Sequence, residues 1–139
     1  MASTTLSTDK NEIDRLTREF FDLFTNYGGR IPSLSRINDL FIPEGIVIKN
    51  VGGNTEIFSL SSFIAPRQKI LTDGTLADFQ ERELTERTDI AGAVAQRFCT
   101  YTKSGKFKGE SFENQGVKTL QFIKTNNTWK ISAVAWDDF

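Results

Sequence analysis

The chain changes texture once, at Asp73-Gly74, and that switch constrains its fold more than any other feature. Before it, apolar residues recur at three- and four-residue steps, the spacing of one buried helix face. After it, Thr, Val and Phe alternate with polar positions, and turn signals interrupt them. Helices followed by a run of strands predict an α+β domain rather than an alternating α/β one.

In the first half, Ile13, Leu16, Phe20, Leu23, Phe24 and Tyr27 form one apolar stripe, predicting a helix of about five turns. Asp9 and Glu12 have the spacing of an N-cap and its reciprocal partner, and Gly28-Gly29 ends the pattern. Residues 1–8 are small and polar and are expected to form a mobile, disordered tail, with one domain over 9–139. Pro32-Ser33 opens a short second helix bearing Leu34, Ile37, Leu40 and Phe41, which Pro43-Glu44-Gly45 breaks. "IVIKN" is a short strand ending at Gly52-Gly53-Asn54. Residues 59–71 return to helical spacing, shortened or kinked by Pro66.

Four strands are expected in the second half, over 77–89, 93–103, 111–124 and 128–137. Asn126-Asn127 suits the positive φ of a tight hairpin. In the last strand Trp129, Ile131, Ala133 and Ala135 occupy one face, with Val134 and Trp136 on the other. In the strand before it, Val117 and Ile123 stand opposite Leu120 and Phe122. With apolar surface on both faces, one covers the helices, and the simplest cover for the other is a second copy of the sheet.

Composition removes several chemistries. The 139 residues contain no histidine, so Ser-His-Asp and Cys-His machinery and most zinc sites are excluded, and no metal is expected. Cys99 is the single cysteine, so no intrachain disulfide forms. A net charge of −1 lacks the footprint of a nucleic-acid binder. No apolar run approaches the roughly 18 residues that span a bilayer, and the N-terminus carries no secretory signal pattern. A cytoplasmic domain without cofactor is the expectation.

The element order, with "FFDLF" in helix one, "INDLFIPEGIVI" from helix two into strand one, and "GVKTLQFIKTNNTWKISAVAW" near the C-terminus, resembles the nuclear transport factor 2-like superfamily. Its SnoaL-like branch, small bacterial proteins related to polyketide cyclases and ketosteroid isomerase, is the most similar. The resemblance implies a cone-shaped, cystatin-like roll: three N-terminal helices on a curved, mainly antiparallel sheet, with a pocket at the open end. It also implies frequent homodimerisation through the outer sheet face. The isomerase pattern is not filled. Its helix-one tyrosine falls at Phe20, its strand-one aspartate near Lys49 and its penultimate-strand aspartate near Leu120. The dehydratase branch needs a histidine that this chain lacks.

In the register the resemblance implies, Ala95, Arg97, Cys99 and Tyr101 point into the cone. An unpaired buried arginine costs several kcal/mol, so Arg97 is balanced either internally, by Asp137, Glu81 or Glu83, or by a bound carboxylate or phosphate. Phe20, Phe24, Phe63, Leu120 and Phe122 are expected in the cavity wall, and Lys49 and Arg67 are further candidates beside it. Cys99 reads as a small buried hydrophobe. Arg97 and Asp137 are the candidate catalytic groups. Three functions stay open: a binding domain for a small apolar or weakly acidic molecule, an isomerase-, dehydratase- or cyclase-type enzyme acting on an apolar carbonyl compound without histidine, and a dimerisation module with no ligand.

Overall fold

The computed structural model describes the backbone from Ala2 to Phe139 and side chains from Thr8 onward. The tail expected over 1–8 therefore lies largely outside the described side chains. Helix α1 spans Ala2–Asp22, α2 Ile37–Leu40 and α3 Leu60–Thr72. The strands are β1 Phe41–Val51, β2 Asn54–Ser59, β3 Leu76–Ala91, β4 Val94–Phe107, β5 Glu110–Thr125 and β6 Thr128–Asp138. They form one curved, open sheet in the order β2-β1-β6-β5-β4-β3, antiparallel except where β1 runs parallel to β6. The three helices pack on it, as the α+β expectation required. No helix among the described residues is long and apolar enough to cross a membrane.

The stripe on α1 is its buried face. Ile13, Leu16 and Phe20 meet Leu120, Phe122, Trp129 and Ile131 in one core. Two details of the helix differ from expectation. Asp9 is not an N-cap, because the helix starts earlier. Its buried carboxylate instead accepts from Trp129 Nε1 at 2.9 Å and Lys124 Nζ at 3.1 Å, tying α1 to the last hairpin. The helix also ends at Asp22, short of Gly28-Gly29, and Tyr27 is exposed. Asn26 explains the early exit. Its Nδ2 donates to the carbonyls of Leu71 (2.9 Å) and Leu76 (2.7 Å), and its Oδ1 accepts from Phe79 N–H at 2.7 Å. A buried amide with its donors and acceptor used draws the chain from the helix axis toward β3.

Further differences lie in the strands. Pro43-Glu44-Gly45 does not end an element, since β1 begins at Phe41 and passes through a register irregularity before Ile46. Gly45 is needed there because a Cβ would lie 2.6 Å from the Phe41 ring. The polar strand β2 has little apolar alternation and gave no signal. The closing hairpin forms as expected, with Asn126 and Asn127 at φ 52° and 62°.

The two-faced reading of β6 is overturned by a bulge. Gln121 pairs with Ala133 while Phe122 pairs with Ile131, leaving Ser132 as the extra residue. One inserted residue reverses the alternation. Trp129 and Ile131 before the bulge, and Val134 and Trp136 after it, therefore all face the helices, while Ala133 and Ala135 face outward. Neither Val134 nor Trp136 belongs to the outer face.

Candidate functional site

The inner face of the sheet carries two charged regions. The first lies under the N-terminal half of α1. Alternation on β4 buries Ala95, Arg97, Cys99 and Tyr101, as expected. Arg97 is only 4% exposed, and its charge is balanced internally. Nε and Nη2 donate to the two oxygens of Glu83 at 2.9 and 2.6 Å, and Nη1 donates to Asp14 at 2.6 Å and Thr88 Oγ1 at 3.1 Å. Lys10 bridges Asp14 and Glu86 beside them. Burial opposes the charge of Arg97, but the hydrogen bonds to Glu83 and Asp14 outweigh it and hold the guanidinium above its ordinary value. Lys10 and Arg97 keep the Asp14 carboxyl low against its own desolvation. Of the partners expected for Arg97, Glu83 is the one that binds it. Asp14, on α1, carried no sequence signal. Arg97 lines a charged pocket of roughly 520 Å³ with Lys10, Asp14 and Glu83, and Glu81 is shared between it and the second, ring-walled cavity.

The second region is that cavity, roughly 490 Å³ in volume, between α1, α3 and the sheet. Phe20, Phe24, Phe63 and Trp136 form its ring walls, with Leu76 and Phe79 from β3. Phe63 anchors them, standing edge-on to Phe24 at 5.8 Å and Trp136 at 5.9 Å between ring centres. The capping box of α3 fixes its entry. Ser62 N–H donates to Ser59 Oγ at 3.2 Å, and Ser59 N–H donates to Ser62 Oγ at 2.9 Å. One turn later, Arg67 lies 3.9 Å over the Phe63 ring and 5.0 Å over Phe58. Burial lowers its pKa, with Glu56 partly compensating.

Four basic side chains line the cavity, namely Lys49, Arg67, Lys103 and Lys118, with Glu81 the one carboxylate among the lining residues. Lys118 is 3% exposed. Its Nζ stands 4.0 Å from the Tyr101 ring centre, 4.6 Å from Trp136 and 5.4 Å from Phe21. Its ionic contact is Glu81, at 3.5 Å. Burial pushes the ammonium down, Glu81 opposes this, Lys103 adds to it, and the net direction is downward.

Behind Lys118, Tyr101 donates its hydroxyl to Asp138, and Lys103 Nζ donates to the same carboxylate at 2.7 Å. Burial pushes Asp138 up, but those two hydrogen bonds leave it below its ordinary value. Burial and Asp138 both raise the Tyr101 hydroxyl. Gly116 faces Tyr101 across the strands because a Cβ there would meet its hydroxyl at 2.7 Å.

The expected site residues therefore divide. Phe20, Phe24, Lys49, Phe63 and Arg67 come together around the cavity. Arg97, Cys99, Tyr101, Leu120 and Phe122 are buried but not in its lining, because α1 covers them. Burial pushes the Cys99 thiol up to about 12, consistent with an inert hydrophobe. Asp137 gives way to Asp138, since the Ser132 bulge turns the next residue inward. Lys118 was overlooked although its signal was present. It has the same parity as Leu120 and Phe122, so if they face inward, it does too.

No protein-family model matches the chain, and no curated protein matches it. Solved structures do. A nuclear transport factor 2-like protein from Salmonella enterica serovar Typhimurium aligns with a TM-score of 0.75 at 16% identity, covering 94% of this chain and 91% of its own. A protein from Novosphingobium aromaticivorans, described as nuclear transport factor 2-like with a cystatin-like fold, gives 0.74 at 15% identity, covering 98% and 85%. LinA, whose type 2 form is described as a hexachlorocyclohexane dehydrochlorinase, gives 0.82 at 11% identity, covering 100% and 91%. At such identities the likeness speaks for the fold and not for an activity. The chain has the nuclear transport factor 2-like, cystatin-like fold that its order of elements resembles.

Proposed function

We propose that this protein binds a small molecule with a flat apolar body and one acidic or carbonyl end. The observation that carries the reading is the cavity itself, roughly 490 Å³ of ring-walled space with four basic side chains and a single carboxylate in its lining. That volume lies within the range of ligand pockets, and apolar walls with a few convergent polar groups are their usual composition. An open hollow favours ligand binding over a scaffold closed by phenylalanines. The acid-binding charge is supplied by Arg67, Lys49 and Lys118 rather than by Arg97.

The test compares 2-naphthoate with the neutral 2-naphthamide, by calorimetry and by Trp fluorescence. Binding of the acid about tenfold tighter than the amide, or about 1.4 kcal/mol, is expected. The Arg67→Met variant should narrow the gap. Equal binding, or none, overturns the reading.

We also propose that two copies pair through the outer sheet face. Ile57, Ile48, Ala135, Thr119 and Phe98 follow one another in register across five strands, and no charged residue interrupts the row. Depletion of charge marks interface cores, and two copies of one face can close by two-fold symmetry.

A further inference from the structure

The basic groups of the inner face are not equivalent. Arg97 uses its donors on Glu83, Asp14 and Thr88. Lys103 donates to Asp138, and Lys124 to Asp9. Each of these cations has a close structural partner. Lys118 is as buried as Arg97, yet its polar contact is Glu81 at 3.5 Å, and rings occupy the places of its other partners. It is one of the residues lining the cavity, and its amine lies among the rings of that wall.

We infer that Lys118 is a covalent attachment point: its amine adds to the carbonyl carbon of an aldehyde or ketone held in the cavity and forms an imine. This inference rests on the binding reading above and names the reactive end of the ligand.

The step balances within the residues present. The Lys118 ammonium passes a proton to Glu81, freeing the nitrogen lone pair. That pair attacks the carbonyl carbon, and the C=O π electrons move to oxygen. A proton then shifts from nitrogen to oxygen, giving the carbinolamine. The C–O bond breaks as hydroxide leaves with the proton held by Glu81, and the nitrogen pair closes the C=N bond. Ammonium and carbonyl compound become iminium and one water, with no oxidant or reductant. Desolvation favours the free amine that begins this sequence, and Lys103 acts in the same direction. Cys99 offers no competing nucleophile, since it lies outside the cavity lining and its thiol is pushed up to about 12.

The experiment treats the full chain at neutral pH with 4-carboxybenzaldehyde and cyanoborohydride, which reduces an iminium to a stable secondary amine. Peptide mass mapping then locates the product. Labelling of Lys118 about tenfold faster than Lys49 or Lys103 is expected, and excess 2-naphthoate should suppress it. Labelling spread over surface lysines with no preference for Lys118 overturns the inference. If 2-naphthoate binds but Lys118 stays unlabelled, attachment is refuted and acid binding stands. If neither occurs, both fall. Lys118→Arg should lose the adduct, since a guanidinium forms no imine under these conditions. The mapping on the unaltered chain decides the matter even if that variant fails to fold.

Discussion

Arg97 and Lys118 are equally buried, stand on neighbouring strands of one sheet face, and are held in opposite ways. Arg97 pairs in register with Leu120, and Lys118 with Cys99, so a single step of the inward alternation separates them. Around Arg97, carboxylates from α1 and β3 close in and complete its hydrogen bonds. Around Lys118, three rings replace water while one carboxylate stays at 3.5 Å. Burial alone does not separate a structural cation from a functional one. The number of partners does, because a saturated guanidinium has little left to offer a ligand.

The strongest way to break this contrast is to remove each cation in turn. Arg97→Met should cost about 2–3 kcal/mol in chemical denaturation, since it strands Glu83 and leaves Asp14 with Lys10 alone. Lys118→Met should cost less, since it breaks one ionic contact at 3.5 Å where Arg97 makes four hydrogen bonds. Equal losses would erase the distinction.

Acid should sharpen the contrast next. Asp9, Asp14 and Glu86 are all held below their ordinary values of 3.8, 3.8 and 4.5. Between the folded and ordinary values the unfolded chain binds more protons. Their stabilisation is therefore complete above the ordinary values and is lost as pH falls through the folded ones. Asp9, Asp14 and Glu86 lie on or against α1, while Asp138 is the lowered carboxylate at the cavity end, so acid should accelerate amide exchange more along α1 than around the cavity. Equal acceleration at both ends would count against two separate regions. Lys118 works at the other extreme: its lowered pKa adds stability as pH rises toward 10.5.

The smallest effect is expected from Phe98→Glu on the outer face of the strand that carries Arg97. Sedimentation should show half the mass with little change in the denaturation midpoint. An unaltered mass removes the proposed pairing of sheets.

Much of the architecture could be read from side-chain periodicity. The α1 stripe, the four long strands, the Asn126-Asn127 turn and the inward phase of β4 are local patterns, and each was legible. Strand β2 was not, because an edge strand of polar residues buries little and needs no alternation. The inward face of β6 was misread because a bulge leaves no mark in a run of apolar residues. Ser132 looks like any other strand residue until its partner strand is known. At the site, Phe20, Phe24, Lys49 and Phe63 were recoverable, and the parity that predicts Lys118 was present but unused.

By itself the sequence determined which residues share a face, because backbone geometry imposes period 3.6 on helices and period two on strands. It also determined that no imidazole chemistry and no intrachain disulfide exist here, because the chain holds no histidine and a single cysteine. Tertiary structure alone decided how the inner face is divided between a saturated ion cluster and a ring-walled cavity. Asp14 and Glu83 are 69 positions apart in the chain, and they meet Arg97 because α1 lies across β3 and β4. A charge becomes structural or free for a ligand according to what folds against it, and that is a long-range property.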